Sequence, residues 1–231
     1  AENSAVGTLI GVIVATDPDQ VSVLTYSLVT PTTTFALDSA TGRVTVARSV
    51  LNFELTARYD LRVRVTDQTG LFDEEQLVIT LTNVNDPPSL TVPALVVPEN
   101  SIVGTVIGLP VESLDEDGNS LTFSLANNAG GLFTINSISG QISVALAAIN
   151  YETAASHAVV VRVSDGTTST TANATVVVTD VNEAPSIAPR SFSIPETIAL
   201  QSFLGNMTAT DPDIGQTIVY TLGGADAGLN H

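Results

Sequence analysis

Carboxylates that recur at a fixed interval are the residues of this sequence best suited to chemistry. Glu2, Asp17, Asp19, Glu54, Asp67 and Asp86 come first. Glu99, Asp115, Asp117, Glu152, Asp165, Asp180 and Glu183 follow, and Glu196, Asp211 and Asp213 close the series. These are sixteen of the 24 acidic residues; the other eight nearly balance seven arginines. The net charge of −17 is therefore concentrated at the recurring positions and is not a general solubility coat. Amides and backbone carbonyls flank the acids at Asn83-Val84-Asn85-Asp86 and at Asp180-Val181-Asn182-Glu183. A hard cation such as calcium takes roughly six to eight oxygen ligands, several of them charged, with backbone carbonyls among them. Covalent catalysis has less to work with. There is no Cys, His157 aligns with Tyr59 at the start of a strand, and His231 is the last residue. Paired carboxylates also serve glycoside hydrolysis. Here, however, they sit at both ends of every repeat, where an enzyme would gather them at one concave site.

The interval comes from an internal repeat. Pro98-Glu99-Asn100-Ser101 echoes Ala1-Glu2-Asn3-Ser4 at an offset of 97, and Ile194-Pro195-Glu196-Thr197 echoes Val97-Pro98-Glu99-Asn100 at the same offset. Asp17-Pro18-Asp19 reappears as Asp115-Glu116-Asp117 and as Asp211-Pro212-Asp213. Leu51-Asn52-Phe53-Glu54 matches Ile149-Asn150-Tyr151-Glu152, and Val63-Arg64-Val65-Thr66-Asp67 matches Val161-Arg162-Val163-Ser164-Asp165. Thr82-Asn83-Val84-Asn85-Asp86 matches Thr179-Asp180-Val181-Asn182-Glu183. Two full repeats are expected over 1–88 and 89–185, with the N-terminal half of a third over 186–231. Proline at Asp86-Pro87-Pro88 and Glu183-Ala184-Pro185 stops strand pairing and stiffens each link.

The elements that must position these acids are strands. Leu61, Val63 and Val65 alternate with Arg62, Arg64 and Thr66, and Leu77, Ile79 and Leu81 alternate with Val78, Thr80 and Thr82. Val159, Val161 and Val163 keep the same inward register in the second repeat. Ala40-Thr41-Gly42 and Ile138-Ser139-Gly140 read as turns between strands. No segment carries a helical stripe. About 97 residues with roughly seven short strands fit an all-β, Greek-key, immunoglobulin-like sandwich. The third stretch has room for about two strands between Ser191 and Leu222.

Composition agrees. Hydrophobic content is 44% against 5% aromatic, and there is no Lys. An acidic surface repels nucleic-acid phosphates and anionic lipid, which excludes both as partners and leaves cations. Without Cys no disulfide can staple the fold, so bound metal is the expected staple. No apolar run reaches the length of a membrane span.

Taken together, these motifs resemble cadherin repeats. The matching elements are an x-E-N near the start, D-x-D after the first strand, a relative of L-D-R-E, an A-x-D-like element and D-x-N-D-x-P at the end. The resemblance covers both full repeats and the available part of the third. It implies tandem seven-stranded Greek-key sandwiches with two to three calcium ions at each complete junction. The first junction would use Glu2, Glu54, Asn83, the Val84 carbonyl, Asn85, Asp86, Asp115, Asp117, a carbonyl near Asn119, and Asp165. The second would use Glu99, Glu152, Asp180, the Val181 carbonyl, Asn182, Glu183, Asp211 and Asp213. Asp17, Asp19 and Asp67 would serve a junction with a repeat upstream. The pattern departs from the family where Asn52 and Asn150 stand in place of an Asp, which weakens the outermost site.

The resemblance implies a calcium-binding, calcium-rigidified extracellular segment of a surface protein, acting in adhesion or as a rod-like spacer, and not an enzyme. The absence of Cys and Lys resembles bacterial surface proteins more than vertebrate adhesion molecules. A calcium-dependent polysaccharide-binding module is the alternative, although there is no Trp for sugar stacking. The expected partners are calcium and either a second copy of the same protein or a surface glycan, with no direct membrane contact by this segment.

Overall fold

The computed structural model describes residues 1–18, 23–199 and 201–223, and among these no segment is helical. The chain divides into two compact units. The first comprises Ala1–Pro88 together with Leu114–Ser120 and Asp165–Thr168. The second comprises Ser89–Ser113, Leu121–Ser164 and the chain from Ser169 onward.

In the first unit β1 (Leu9–Val12), β3 (Phe35–Leu37) and β4 (Arg43–Val46) form one antiparallel sheet in the order β1-β4-β3. The second sheet, in the order β2-β5-β6, takes β2 (Thr25–Leu28), β5 (Arg58–Thr66) and β6 (Phe72–Thr80). The period-two pattern places the core between them: Phe35, Val44 and Val46 meet Leu61, Ile79, Leu51 and Leu81. The turn between β3 and β4 is held by Asp38, whose Oδ1 accepts from the Ala40 and Thr41 amides and the Thr41 hydroxyl. Gly42 closes it at φ +69°, and a Cβ there would lie 2.4 Å from the Ile13 carbonyl oxygen, so only glycine fits.

The second unit contains the expected seven-stranded sandwich. One sheet runs β7-β13-β12-β9, from β7 (Leu95–Pro98), β13 (Ser169–Thr179), β12 (Ser156–Ser164) and β9 (Thr122–Asn127). The other runs β10-β11-β8, from β10 (Phe133–Ile135), β11 (Ile142–Val144) and β8 (Val106–Ile107). Val159, Val161 and Val163 are completely buried on the inward face of β12, opposite Phe133, Ile142 and Val144. β7 pairs in parallel with the end of β13 and delivers Leu95 and Val97 to the core. The first unit shows six strands among its described residues.

The third stretch differs from the expectation. Its described strands are β14 (Ser186–Ile187) and β15 (Ala209–Thr210), paired antiparallel, and Ser191–Ile194 is coil. Ser191–Ile194 corresponds in the repeat to β7, which pairs with β13, but it has no such ladder among the described residues.

Candidate metal centres

Glu2 is the anchor of the first centre. It is 2% exposed, and its carboxylate accepts from the Phe53 amide at 2.6 Å and the Val84 amide at 2.7 Å. Its own amide donates to the Thr82 carbonyl. One side chain thus ties the start of the chain, the turn after Leu51 and the segment after β6. Glu54 and Asp86 bring carboxylate oxygens to within 4.8 Å of it and of one another. Calcium–oxygen distances of about 2.3–2.6 Å allow three oxygens at that spacing to share one ion.

The segments from the second repeat complete this centre inside the first unit. The Asp86 amide donates to Asp117 Oδ2 at 2.7 Å. Asn85 Nδ2 donates to Asp165 Oδ2 at 2.8 Å and to the Thr168 hydroxyl. Asn119 donates from its side chain to Asn85 Oδ1 and from its backbone to Asp115 Oδ1. Asn83 Nδ2 donates to Glu54. Asp115 is 7% exposed, and its Oδ2 is buried with no hydrogen-bond partner. A buried anionic oxygen without a donor is expensive, and a cation satisfies it.

The second centre, wholly within the second unit, repeats the design. Glu99, 2% exposed, accepts from the Tyr151 amide at 2.9 Å and the Val181 amide at 2.8 Å. The Glu183 amide donates to Asp213 Oδ2 at 2.9 Å, and the Asp213 amide to Asp211 Oδ1. Two groups of converging carboxylates result, Glu99–Glu152–Asp180 and Glu152–Glu183–Asp213. Glu152 Oε2 and Glu183 Oε2 are buried without partners. Asn182 accepts from Gln216.

The electrostatics follow from this crowding. Desolvation, with the negative charges of Glu2 and Asp117, pushes the Glu54 carboxyl above its ordinary range. Desolvation and the charges of Asp213 and Glu99 push Asp180 up. The Glu152 backbone amide draws its own carboxyl down, but burial and the charges of Glu99 and Glu183 outweigh it and the net shift is upward. Glu99 goes the other way, because the Tyr151 and Val181 amides stabilise its anion. Asp165 is likewise held far below the usual range by Asn85 and Thr168. Each centre therefore pairs carboxylates fixed by donors with carboxylates crowded by like charge, a repulsion that a cation would relieve.

Of the residues expected to serve an upstream junction, Asp19 lies outside the described residues. Asp17 is half-buried and lines, with Asp67, a cleft of about 730 Å³ in the first unit. Burial pushes Asp67 up, but the Thr69 hydroxyl and the Leu71 and Thr69 amides outweigh it and hold the carboxyl low. That makes Asp67 a turn-closing residue as it stands.

Sequence reasoning missed several contributors. Asn3 and Asn100 adopt left-handed φ of 54° and 57°, and their side chains donate to Asp86 and Glu183. Their recurrence beside Glu2 and Glu99 was the available signal. Asn52 and Asn150 prove to be turn caps, accepting from the Leu55 and Thr153 amides. Asn52 also donates to Glu116, an acid outside the repeated set. Thr168 and Gln216 have no repeated signature.

All-oxygen centres on Greek-key sandwiches define a class of extracellular repeat, and the comparisons give its family. The cadherin domain model matches residues 1–82 and 93–179, and the chain belongs to the cadherin family. Chicken (Gallus gallus) Cadherin-1 is 30% identical over 260 residues, covering 98% of this chain and 29% of that protein. Chimpanzee (Pan troglodytes) Protocadherin gamma-A4 is 33% identical over 242 residues, covering 96% of this chain and 26% of that protein. The chain thus spans under a third of either relative. The extracellular domain of Protocadherin GammaB4 superposes with a TM-score of 0.64 at 26% identity, over 93% of this chain and 36% of that one. Mouse Cadherin-23 EC22-24 gives 0.63 at 26% identity, over 93% of this chain and 74% of that one. The segment is extracellular, as these ectodomain relatives are. The relatives named are animal proteins and lend no support to the bacterial source suggested by composition.

Proposed function

We propose that this segment binds calcium at both centres and that the bound ions stiffen successive repeats for adhesion or for a spacer role in a larger surface protein. The repeats are 1–88, 89–185 and the partial 186–231. The reading rests on one observation: Glu2 and Glu99, 97 residues apart, each take two backbone amides and face carboxylates that form no ion pair among the described residues. Glu2, Glu54, Asp86, Asp115, Asp117 and Asp165 hold the first ions, with Asn83, Asn85, Asn119 and the Val84 carbonyl completing the shell. Glu99, Glu152, Asp180, Glu183, Asp211 and Asp213, with Asn182 and the Val181 carbonyl, hold the second set. Two to three ions at a complete centre such as the first suit these charges. Asp17, Asp19 and Asp67 serve a neighbouring repeat in the same way. The segment does no chemistry on a substrate; its partner is a second copy of the same protein or a surface glycan.

Calorimetric titration with calcium tests the binding, and small-angle scattering of residues 1–185 tests the stiffening. Binding of two or more ions at the first centre, with a narrower and longer distance distribution that chelator reverses and Glu54→Ala abolishes, is expected. Binding without any change in the distribution overturns the spacer reading. No heat of binding overturns both.

A further inference from the structure

We propose that Asn173 is an N-glycosylation site. The triplet Asn173-Ala174-Thr175 fits the acceptor pattern, in which Thr stands two residues after Asn. In β13 the period of two places Asn173 and Thr175 on the same face, and both are exposed. Asn173 makes no side-chain hydrogen bond among the described residues.

The strand around it explains why a glycan belongs there. β13 pairs with β12 along its length, but with β7 only at Val176–Thr179. Among the described residues no strand pairs with the other side of Thr171–Thr175, which is therefore an open strand edge. Open edges template pairing with other chains, and proteins blunt them with charge. β6, the counterpart in the first repeat, does so with Asp73, Glu74 and Glu75. There Gln76 donates to Asp60, and Glu74 pairs with Arg64 at 2.5 Å and with Arg62. The β13 edge, Ser-Thr-Thr-Ala-Asn-Ala-Thr, carries no charge at all. Asn173 lies opposite Val160, the register place that Gln76 holds opposite Arg62. Where the first repeat puts an ion-paired network, the second puts an unpartnered acceptor asparagine. A hydrated oligosaccharide would shield this edge as charge shields the other.

The donor is an oligosaccharide linked to a lipid pyrophosphate, met in a eukaryotic secretory pathway. Asn173 Nδ2 forms the bond to the anomeric carbon, the carbon–oxygen bond to the pyrophosphate breaks, and the lipid pyrophosphate leaves while the amide loses one proton.

The test is secretion of the full chain from cultured animal cells behind an added leader, followed by glycopeptide mapping. Enzymatic release in heavy-oxygen water marks each formerly glycosylated Asn as a labelled Asp. The expected result is a labelled Asp at 173, lost in Asn173→Gln and Thr175→Ala and retained in Thr175→Ser. An unmodified Asn173 peptide from the secreted wild-type chain overturns the proposal, and that readout does not depend on any variant folding. A glycan whose mass is unchanged in Asn173→Gln also overturns it, placing the modification at Asn206-Met207-Thr208 instead.

Discussion

Asp115→Asn should reverse the sign of its effect on stability when calcium is added. The side chain is 7% exposed; Oδ1 has the Asn119 amide, and Oδ2 has nothing. Asparagine keeps the first contact and replaces the orphaned anionic oxygen with a neutral amide that faces a carboxylate-rich surround. A buried acceptor left without a donor costs about 1–3 kcal/mol, more when charged. In chelator the variant should therefore be more stable than wild type by about that amount. In calcium the order should invert. With an affinity of roughly 10⁻⁴ M, typical of extracellular calcium modules, millimolar calcium at about a hundredfold excess stabilises the native state by about 2.7 kcal/mol per ion. Losing a charged ligand should remove most of one such gain. For a domain of roughly 100 residues each kcal/mol shifts Tm by about 4–8 °C. Differential scanning calorimetry should thus show a calcium shift of about 10–20 °C for wild type and only a few degrees for the variant. If Asp115→Asn lowers Tm equally with chelator and with calcium, the carboxylate is an ordinary structural acceptor and the metal assignment of this centre fails.

Other outcomes follow from the same contacts. Glu2→Ala strips the acceptor from the Phe53 and Val84 amides and should cost about 2–4 kcal/mol even in chelator, measured by urea unfolding. Asp38→Ala, at a turn far from the repeated acids, should leave the calcium response unchanged in a thermal-shift titration. Gly42→Ala should destabilise by about 1–3 kcal/mol, since its Cβ meets the Ile13 carbonyl, and by more than Gly70→Ala, where the space is open. The Arg64 and Arg62 guanidinium groups hold Glu74 below its ordinary value of 4.5. A depressed carboxyl contributes stability above its unfolded pKa and loses it as pH falls through the folded one. In chelator, then, Glu74→Gln should flatten the loss of stability on acidification below about pH 4.5, and a parallel pH dependence would refute the ion pair's role.

The alternation of β5, β6 and β12 was legible because inward and outward positions obey a strict period of two, and the turns because Asp38 and Gly42 carry turn chemistry. The carboxylates were legible because a repeat places the same residue at the same address twice. Thr168 and Gln216 were not, since each contributes through a contact that no second copy reproduces. The amides of Phe53, Val84, Tyr151 and Val181 were invisible for a deeper reason: a backbone donor has no sequence signature, and its role is set by where the chain turns. In the third stretch the expected number of strands was legible but not their place, since one of the pair, β14, lies ahead of Ser191.

The amides and hydroxyls around the first centre also constrain what calcium would do there. Asn3, Asn85, Asn119 and the Asp86 amide already link Asp86, Asp165, Asn85 and Asp117 by neutral or singly charged hydrogen bonds. Those links need no metal, so assembly of the ligand shell is largely a property of the polypeptide. What they do not supply is a positive charge for the crowded Glu2, Glu54 and Asp86 carboxylates, or a donor for the orphaned oxygen of Asp115. On the proposed reading an ion would then neutralise a site that is already shaped. A preorganised site gives up little conformational entropy on binding. Calcium should accordingly change secondary-structure circular dichroism very little while changing unfolding temperature strongly. A large gain in β-sheet signal on adding calcium would show instead that the metal builds the centre, and that the hydrogen bonds around Asn85 and Asn119 form only as a consequence.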